Sequence, residues 1–235
     1  MGRALEAGGR LGTLARMRAL ADGLWLLDGR PRYAVNVYLV GDVLLDAGTQ
    51  LAARRILRQL QGRTVRAHAL THAHPDHFGS SARVCEALGL PLWCGEADLA
   101  AVETGAIVPG RTRLGRLMSH MPPPPTRAVD RRLRKGDDVA GFRVLETPGH
   151  SPGHLALWRE SDRVLVAGDF LFNLRLVRGR PGLREPPAAV TPDPARNRDS
   201  ARRLAALSPA LVCFGHGPPL RDPERLASFV GALPA

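Results

Sequence analysis

Three histidines and an aspartate fall within six positions in Thr71-His72-Ala73-His74-Pro75-Asp76-His77. Each offers a nitrogen or oxygen lone pair that a divalent cation can accept. In the spacing H-x-H-x-D-H, an extended backbone sends His72 and His74 the same way, because side chains repeat every two residues. Pro75, with no backbone donor and a fixed φ, is expected to end that strand. Asp76 and His77 on the following turn can then face a second position close to the first. Two ligands on a strand end and two on the next turn suit a pair of adjacent ions. The cluster follows a strand-like run at 65–70 and precedes a helix-like run at 78–88, and loops at strand ends are where a rigid scaffold usually places its chemistry.

Three further candidates share one format, an apolar run, then glycine, then a donor. They are His150 in Thr-Pro-Gly-His-Ser-Pro-Gly-His, Asp169 in Ala-Gly-Asp-Phe-Leu-Phe, and His216 in Phe-Gly-His-Gly-Pro-Pro. Glycine lets the backbone turn sharply and approach a bound ion closely. Singly each pattern is weak, since a lone Gly-His is more often a turn with a hydrogen-bonded imidazole. Beside the first cluster they become specific. His154 heads a strand and reads as a hydrogen-bonded support, and His68, in mid-strand, as structural. His120 lies on a proline-rich excursion and is a candidate substrate contact.

These donors need strand ends to carry them. Strands are expected at 24–27, at 33–40 and 43–46 as a hairpin about Gly41-Asp42, and at 65–70, 91–94, 142–146, 154–158, 164–166 and 211–214. Helices are expected at 50–60, 78–88, 96–103, 193–207 and 221–230. The stretch 105–128, with Pro122-Pro123-Pro124-Pro125, favours extended polyproline backbone and reads as a surface loop near the cluster, a candidate lid. Residues 130–138 read as a charged connection and 173–189 as a second loop. Residues 1–20, rich in Arg, Ala, Leu and Gly, read as an N-terminal extension ahead of one domain at 21–235, and either Met1 or Met17 could start the chain. Each half of the chain has several strands followed by a helix and delivers donors from strand ends. Two mixed sheets packed together with helices outside satisfy both halves, an α/β architecture.

Composition narrows the partners. Of 235 residues 44% are hydrophobic and 23% charged, ordinary globular usage with no apolar run near the ~20 residues needed to span a bilayer. The net charge of +11 could point to nucleic acid or an acidic substrate. However, Lys135 is the single lysine and the arginines are scattered from Arg3 to Arg225, which fits a GC-rich coding bias better than a binding patch. Aromatics at 5% also offer few stacking platforms. The expectation is therefore a small-molecule substrate and no membrane partner, with nucleic acid disfavoured but kept open. Cys85, Cys94 and Cys213, an odd number without C-x-x-C spacing, read as small buried hydrophobes in a reducing, cytoplasmic compartment.

Taken together, the motifs at 72–77, 150, 169 and 216 resemble those of the metallo-β-lactamase superfamily, in that family's order and over roughly 24–230. The resemblance implies a four-layer αβ/βα sandwich with a dinuclear site at the sheet edges. It implies that His72, His74 and His150 hold a first metal, that Asp76, His77 and His216 hold a second, and that Asp169 bridges them. Asp46, in Leu-Leu-Asp-Ala-Gly, is similar to a neighbouring position that orients a ligand imidazole. The implied cofactors are two divalent ions, Zn2+ foremost, with Fe2+ or Mn2+ as alternatives. Such a pair would share a hydroxide at neutral pH, with Asp76 placed to orient it. Asp169, where one class of zinc β-lactamases carries cysteine, makes the motif similar to the glyoxalase II, lactonase and ribonuclease Z branches. The chain ends about twenty residues past His216, so the helical domain that holds glutathione in glyoxalase II is not expected. A small ester, thioester or lactone then fits as substrate. A phosphodiester or nucleic acid, and a mononuclear iron chemistry resembling the persulfide dioxygenases, stay open as alternatives.

Overall fold

The computed structural model describes residues 17–120, 122–174 and 181–234. A first sheet contains β1 (Arg18–Ala21), β2 (Leu24–Leu26), β3 (Tyr38–Val40), β4 (Val43–Leu45), β5 (Ala67–Ala69), β6 (Leu92–Gly95) and β7 (Arg131–Leu133), lying side by side in chain order. The first four pair antiparallel, and β4 to β7 pair parallel. A second sheet is built from β8 (Asp138–Val139), β9 (Phe142–Glu146), β10 (Leu155–Arg159), β11 (Val164–Gly168) and β12 (Leu211–Phe214), with spatial order β12-β11-β10-β9-β8. Only β11 and β12 run parallel there.

The two sheets face each other. One core cluster holds Leu24, Tyr38, Val40, Val43 and Leu45 from the first sheet against Phe142, Val144, Leu157, Val166 and Cys213 from the second. Strand alternation makes this possible: in β9, Phe142 and Val144 are buried while Arg143 between them is exposed. The outer face of the first sheet is covered by α1 (Ala53–Leu60), whose Ile56 and Leu60 pack on Leu39 and Leu44. After α2 (Pro75–Phe78), α3 (Ser81–Leu88) and α4 (Leu99–Thr104) cover the β6 side, with Cys85 and Val102 against Leu92 and Cys94. Past α5 (Arg113–Met118), α6 (Pro194–Ala206) and α7 (Pro223–Gly231) cover the second sheet, where Leu204 and Leu226 meet Leu165 and Phe214. Helix, sheet, sheet, helix is the expected four-layer α/β sandwich of two mixed sheets. No helix among the described residues is long and apolar enough to cross a membrane.

Several expectations need correction. The sheet begins inside the stretch read as an extension, because Arg18–Ala21 is β1; residues 1–16 lie outside the described residues. β5 stops at Ala69, so His72 and His74 sit on the loop after the strand and not on its end. Pro75 does not break a strand; it opens α2 from the first helical turn, where its missing N–H costs nothing. The helix expected at 78–88 is two pieces, α2 and α3. Gly79 lies between them, where a Cβ would collide with the Pro75 carbonyl and crowd Gln50. The 105–128 excursion contains α5, capped by Thr112, whose Oγ1 accepts the Gly115 N–H at 2.9 Å. It is fastened to the turn at 188–190 by Gly110 N–H donating to the Ala189 carbonyl at 2.9 Å. Met121 lies outside the described residues. The charged connection at 130–138 contains β7, anchored by the buried Leu133.

Candidate metal centre

The loop after β5, the turn before β10, the end of β11 and the end of β12 all come to the same edge of the sandwich. There Asp169 Oδ2 is ringed by four imidazole nitrogens. His216 Nε2 is at 3.2 Å, His77 Nε2 at 3.3 Å, His150 Nε2 at 3.4 Å and His72 Nε2 at 3.7 Å. His74 Nδ1 joins them, 2.9 Å from His150 Nε2. Asp76 Oδ2 lies 3.3 Å from His216 Nε2 on the more open side. All the side chains except Asp76 and His216 are buried.

What aims these nitrogens inward is the set of partners on their outer sides. Asp46, buried and at φ 61°, accepts the Thr71 N–H and the Thr71 hydroxyl, and its Oδ2 accepts His77 Nδ1–H at 2.9 Å. The Thr71 oxygen is then free to accept His72 Nδ1–H at 2.9 Å. His216 Nδ1–H donates to the Ala34 carbonyl, and His150 Nδ1 meets Thr191 Oγ1 at 3.2 Å. With the outer nitrogens of His72, His77, His150 and His216 used as donors, lone pairs are left pointing at the middle, while the outer Nε2 of His74 has no such partner. His154 takes the reverse role. Its Nε2 accepts the Asp169 N–H at 2.9 Å, so Nδ1 carries the proton towards Thr147 Oγ1. Both nitrogens are occupied, and His154 positions Asp169 instead of joining the ring. His68 is structural, bonded to the Leu44 carbonyl and Ser81 Oγ.

The glycines of the strand–Gly–donor format have a packing reason. Gly168 adopts φ 54°, and a Cβ there would press on His154 and Thr71. A Cβ at Gly215 would collide with Asp169 Oδ1 and meet the His77 ring at 2.7 Å.

On their own charges these side chains split into two classes. Burial, then the neighbouring imidazoles, pushes His74 and His154 down to about 3 and His72 well below its ordinary value. Burial would lower His77 and His216 as well, but the carboxylates around them win; His77 is held well above its ordinary value and His216 is pushed up to about 10. Conversely, burial would raise Asp169 and Asp76, and the imidazoles beside them hold both below the carboxylate range.

These residues suit divalent cations. His72 Nε2, His74 Nε2 and Asp169 Oδ1 are buried without any hydrogen-bond partner, a costly condition for polar atoms. The ligand atoms of His72, His74 and His150 lie within 4.8 Å of one another, as do those of Asp76, His77 and His216, and those of His72, His77 and Asp169.

Asp98 carries a role that the sequence reading missed. Its buried carboxylate does not cap α4. It accepts the Ala73 N–H at 2.9 Å, the Ser151 hydroxyl at 2.6 Å and the Gly153 N–H at 2.7 Å. One side chain thus ties the His72–His74 loop to the His150 loop. The available signal was Leu92-Trp93-Cys94-Gly95-Glu96-Ala97-Asp98, an apolar strand, glycine and then acids, although Asp98 stands three residues past the glycine and not directly after it as Asp169 does.

A cavity of ≈370 Å³ opens onto the centre, with Gln50, Asp76 and His216 among its lining. His120 is exposed and not part of that lining, so the structure does not place it as a substrate contact; α5 turns Met118 to the cavity instead. An equally large cavity, lined by Lys135, Glu146, Arg196 and Arg203 among others, contains none of the converging donors. The three cysteines are buried and free, their thiols pushed by burial up to about 11, 12 and 12 for Cys85, Cys94 and Cys213.

Comparison with known proteins agrees with this geometry. The sequence profile of the metallo-beta-lactamase superfamily matches residues 30–216. The probable metallo-hydrolase YflN of Bacillus subtilis (strain 168) is 30% identical over 201 residues, covering 76% of each chain. The metallo-beta-lactamase family protein TTHA1429 of Thermus thermophilus superposes with a TM-score of 0.62 at 30% identity, over 91% of this chain and 80% of that one. TTHA1623, solved in a di-iron-bound form, gives 0.57 at 31% identity, over 86% and 92%. Profile, relatives and the shared sandwich agree: the chain belongs to the metallo-beta-lactamase superfamily.

Proposed function

We propose that the chain is a dinuclear metal-dependent hydrolase of a small ester, thioester or lactone. The observation that carries this reading is the ring of four imidazole nitrogens at 3.2–3.7 Å around Asp169 Oδ2. His72, His74 and His150 would hold one cation, Asp76, His77 and His216 the other, and Asp169 would touch both. Imidazole and carboxylate donors suit Zn2+, Fe2+ and Mn2+ alike. When bound, such a pair supplies a water made acidic enough to attack at neutral pH and a Lewis acid for the acyl carbonyl.

The chain's own residues do the positioning. Asp46 and Thr71 fix the rings of His77 and His72, and His154 fixes Asp169 through its backbone. Asp76, whose side chain is 40% exposed and lines the cavity, is an anion across the neutral range and is placed to accept a hydrogen bond from the attacking water. In the net reaction water adds to the acyl carbon, the C–O or C–S bond breaks, and an acid and an alcohol or thiol leave.

A panel of esters, thioesters, lactones and bis(p-nitrophenyl) phosphate, run with metal analysis, tests the reading. About two metal ions per chain and acyl turnover are expected. Turnover of the phosphodiester alone would move the assignment to a phosphodiesterase, and about one iron per chain without acyl turnover to a dioxygenase. His72→Ala and Asp169→Ala should each lose metal and turnover together; either variant keeping both would sink the ligand assignment.

A further inference from the structure

The cavity at the centre has two unlike sides. Its floor is the polar ring, represented in the lining by His74, Asp76, His150, Asp169 and His216. Its wall is Ile107, Met118, Pro122, Phe172, Pro187 and Val190. Phe172 marks the seam. Its ring centroid is 4.3 Å from that of His216 and 6.3 Å from that of His150. The Phe172 backbone is locked by paired 3.0 Å hydrogen bonds with Arg184. The wall is also a fixed surface. Met118 on α5 and Val190 are joined through the Gly110–Ala189 hydrogen bond, and a Cβ on Gly115 would come within 2.5 Å of the Ala189 carbonyl.

Charge is distributed the opposite way from the chain as a whole. The sequence carries +11, yet no lysine or arginine lines this cavity among the described residues. Arg196, Arg203 and Lys135 line the other large cavity. A phosphate or carboxylate pressed against this wall would exchange hydration for contact with carbon and sulfur, an unfavourable exchange; the Arg184 guanidinium, 5.1 Å from the Phe172 ring centroid, is not part of the lining. An alkyl or acyl chain meets only carbon and sulfur there and gains from burial.

We infer that the substrate presents an uncharged acyl chain of medium length to this wall, with its carbonyl over the polar floor. The inference rests on the hydrolase reading above and narrows its substrate class. The cavity lies at the lower end of the ~300–1,000 Å³ typical of small-ligand sites. At the ~30 Å³ that a water occupies in the liquid, it takes roughly a dozen non-hydrogen atoms. Space for the reacting carbonyl and water leaves about eight to ten carbons. Hydrolysis releases the corresponding fatty acid, while the alcohol or thiol leaves towards solvent with the proton from water.

The test uses the metal-loaded protein with p-nitrophenyl acetate, butanoate, hexanoate, octanoate and decanoate, and the anionic succinate half-ester. Hydrolysis should gain about fourfold in kcat/KM per added methylene and flatten near ten carbons. The succinate half-ester should fall below butanoate. Met118→Asp should lower the octanoate-to-acetate ratio roughly tenfold or more at unchanged metal content. Met118→Ala, a milder change, should lower it by a smaller factor if the aspartate variant does not fold. In parallel, calorimetric titration with butanoate, hexanoate and octanoate reads the wall without turnover, and Kd should tighten about fourfold per methylene. Ester turnover with a flat chain-length profile, or preference for the succinate half-ester, overturns the inference and leaves the hydrolase reading standing. Failure on every acyl substrate overturns the hydrolase reading and with it the substrate claim, while the titration separately reports whether the wall takes an alkyl chain.

Discussion

Asp98→Asn is the substitution that best separates positioning from ligation, because Asp98 touches no metal-facing nitrogen. In the wild-type chain Oδ2 accepts from Ala73 N–H and Ser151 Oγ–H, and Oδ1 accepts from Gly153 N–H. An asparagine of the same shape keeps one oxygen. Its better orientation leaves that oxygen on Ala73 and Ser151 and turns the amide NH2 against the Gly153 N–H. A buried N–H without a partner costs about 1–3 kcal/mol. The two surviving bonds also lose their charge assistance, which roughly doubles the strength of such bonds. With a neutral bond worth about 0.5–1.5 kcal/mol, the sum is about 2–6 kcal/mol, against a total stability of about 5–15 kcal/mol for a domain, so the variant should fold over most of that range. Ser151→Ala removes one donor and leaves the carboxylate two partners, so its cost should be smaller, about 1–2 kcal/mol. Urea unfolding reads these losses. Because Ala73 lies between two candidate ligands and Ser151 adjoins a third, metal affinity of Asp98→Asn should fall at least about tenfold, the lower end for outer partners of metal ligands. Chelator competition measures it. Wild-type urea midpoint and wild-type metal affinity in Asp98→Asn would refute the clamp. A stability loss with unchanged affinity would make Asp98 a core hydrogen-bond hub with no bearing on the centre.

Three further outcomes follow from the same geometry. Gly215→Ala places a methyl against Asp169 Oδ1 and the His77 ring; it should reduce metal content several-fold, and a fully loaded variant would show that the crowding is relieved elsewhere. His68, pushed by burial from 6.5 down to about 4, is neutral in the folded chain while the unfolded chain takes up a proton below 6.5. Its contribution is present above pH 6.5 and is lost as pH falls towards 4, by about 3 kcal/mol; urea unfolding of His68→Gln should lack that part of the acid slope, and an unchanged slope would assign it to other groups. Adding Zn2+ to the metal-free protein at about pH 7 should release protons, because His77 and His216 are held above their ordinary values by carboxylates and must give up their protons to bind a cation. Calorimetry in buffers of different ionisation enthalpy counts them, and no buffer dependence would contradict the assignment.

What the sequence disclosed was local. His72, His74, Asp76 and His77 are adjacent in the chain, and His150, Asp169 and His216 each follow an apolar run and a glycine, so short windows contain the whole signal. The sandwich was legible for the same reason: strands such as β9 alternate, and the hairpin at Gly41 has its turn residue in place. What failed to show depends on distant partners. Asp98 reads as an ordinary acid before a helix; its function comes from donors 25, 53 and 55 positions away. β7 is Arg-Arg-Leu, and only Leu133 against the facing sheet reveals it. α5 hides among glycines and prolines and exposes Leu114 and Leu117, so its apolar residues suggest no buried stripe; Thr112 as a cap was the usable sign.

The protonation pattern bears on why these seven side chains are together at all. Asp76 and Asp169, one wholly buried, sit among imidazoles whose outer nitrogens are already committed as donors to Asp46, Thr71 and the Ala34 carbonyl. Two carboxylates in such a place demand positive charge. Protons on His77 and His216 can supply it, which is why these two are held high while His72 and His74 are held low. That arrangement leaves His72 Nε2, one of the nitrogens ringed around Asp169 Oδ2, with nothing to bond, so protons satisfy the charge but not this donor. Divalent cations satisfy both at once, because each accepts several lone pairs and carries the charge of two protons. A cluster selected only for stability would have no reason to keep the buried His72 Nε2 unpaired, whereas one built to hold cations requires that lone pair to face inward.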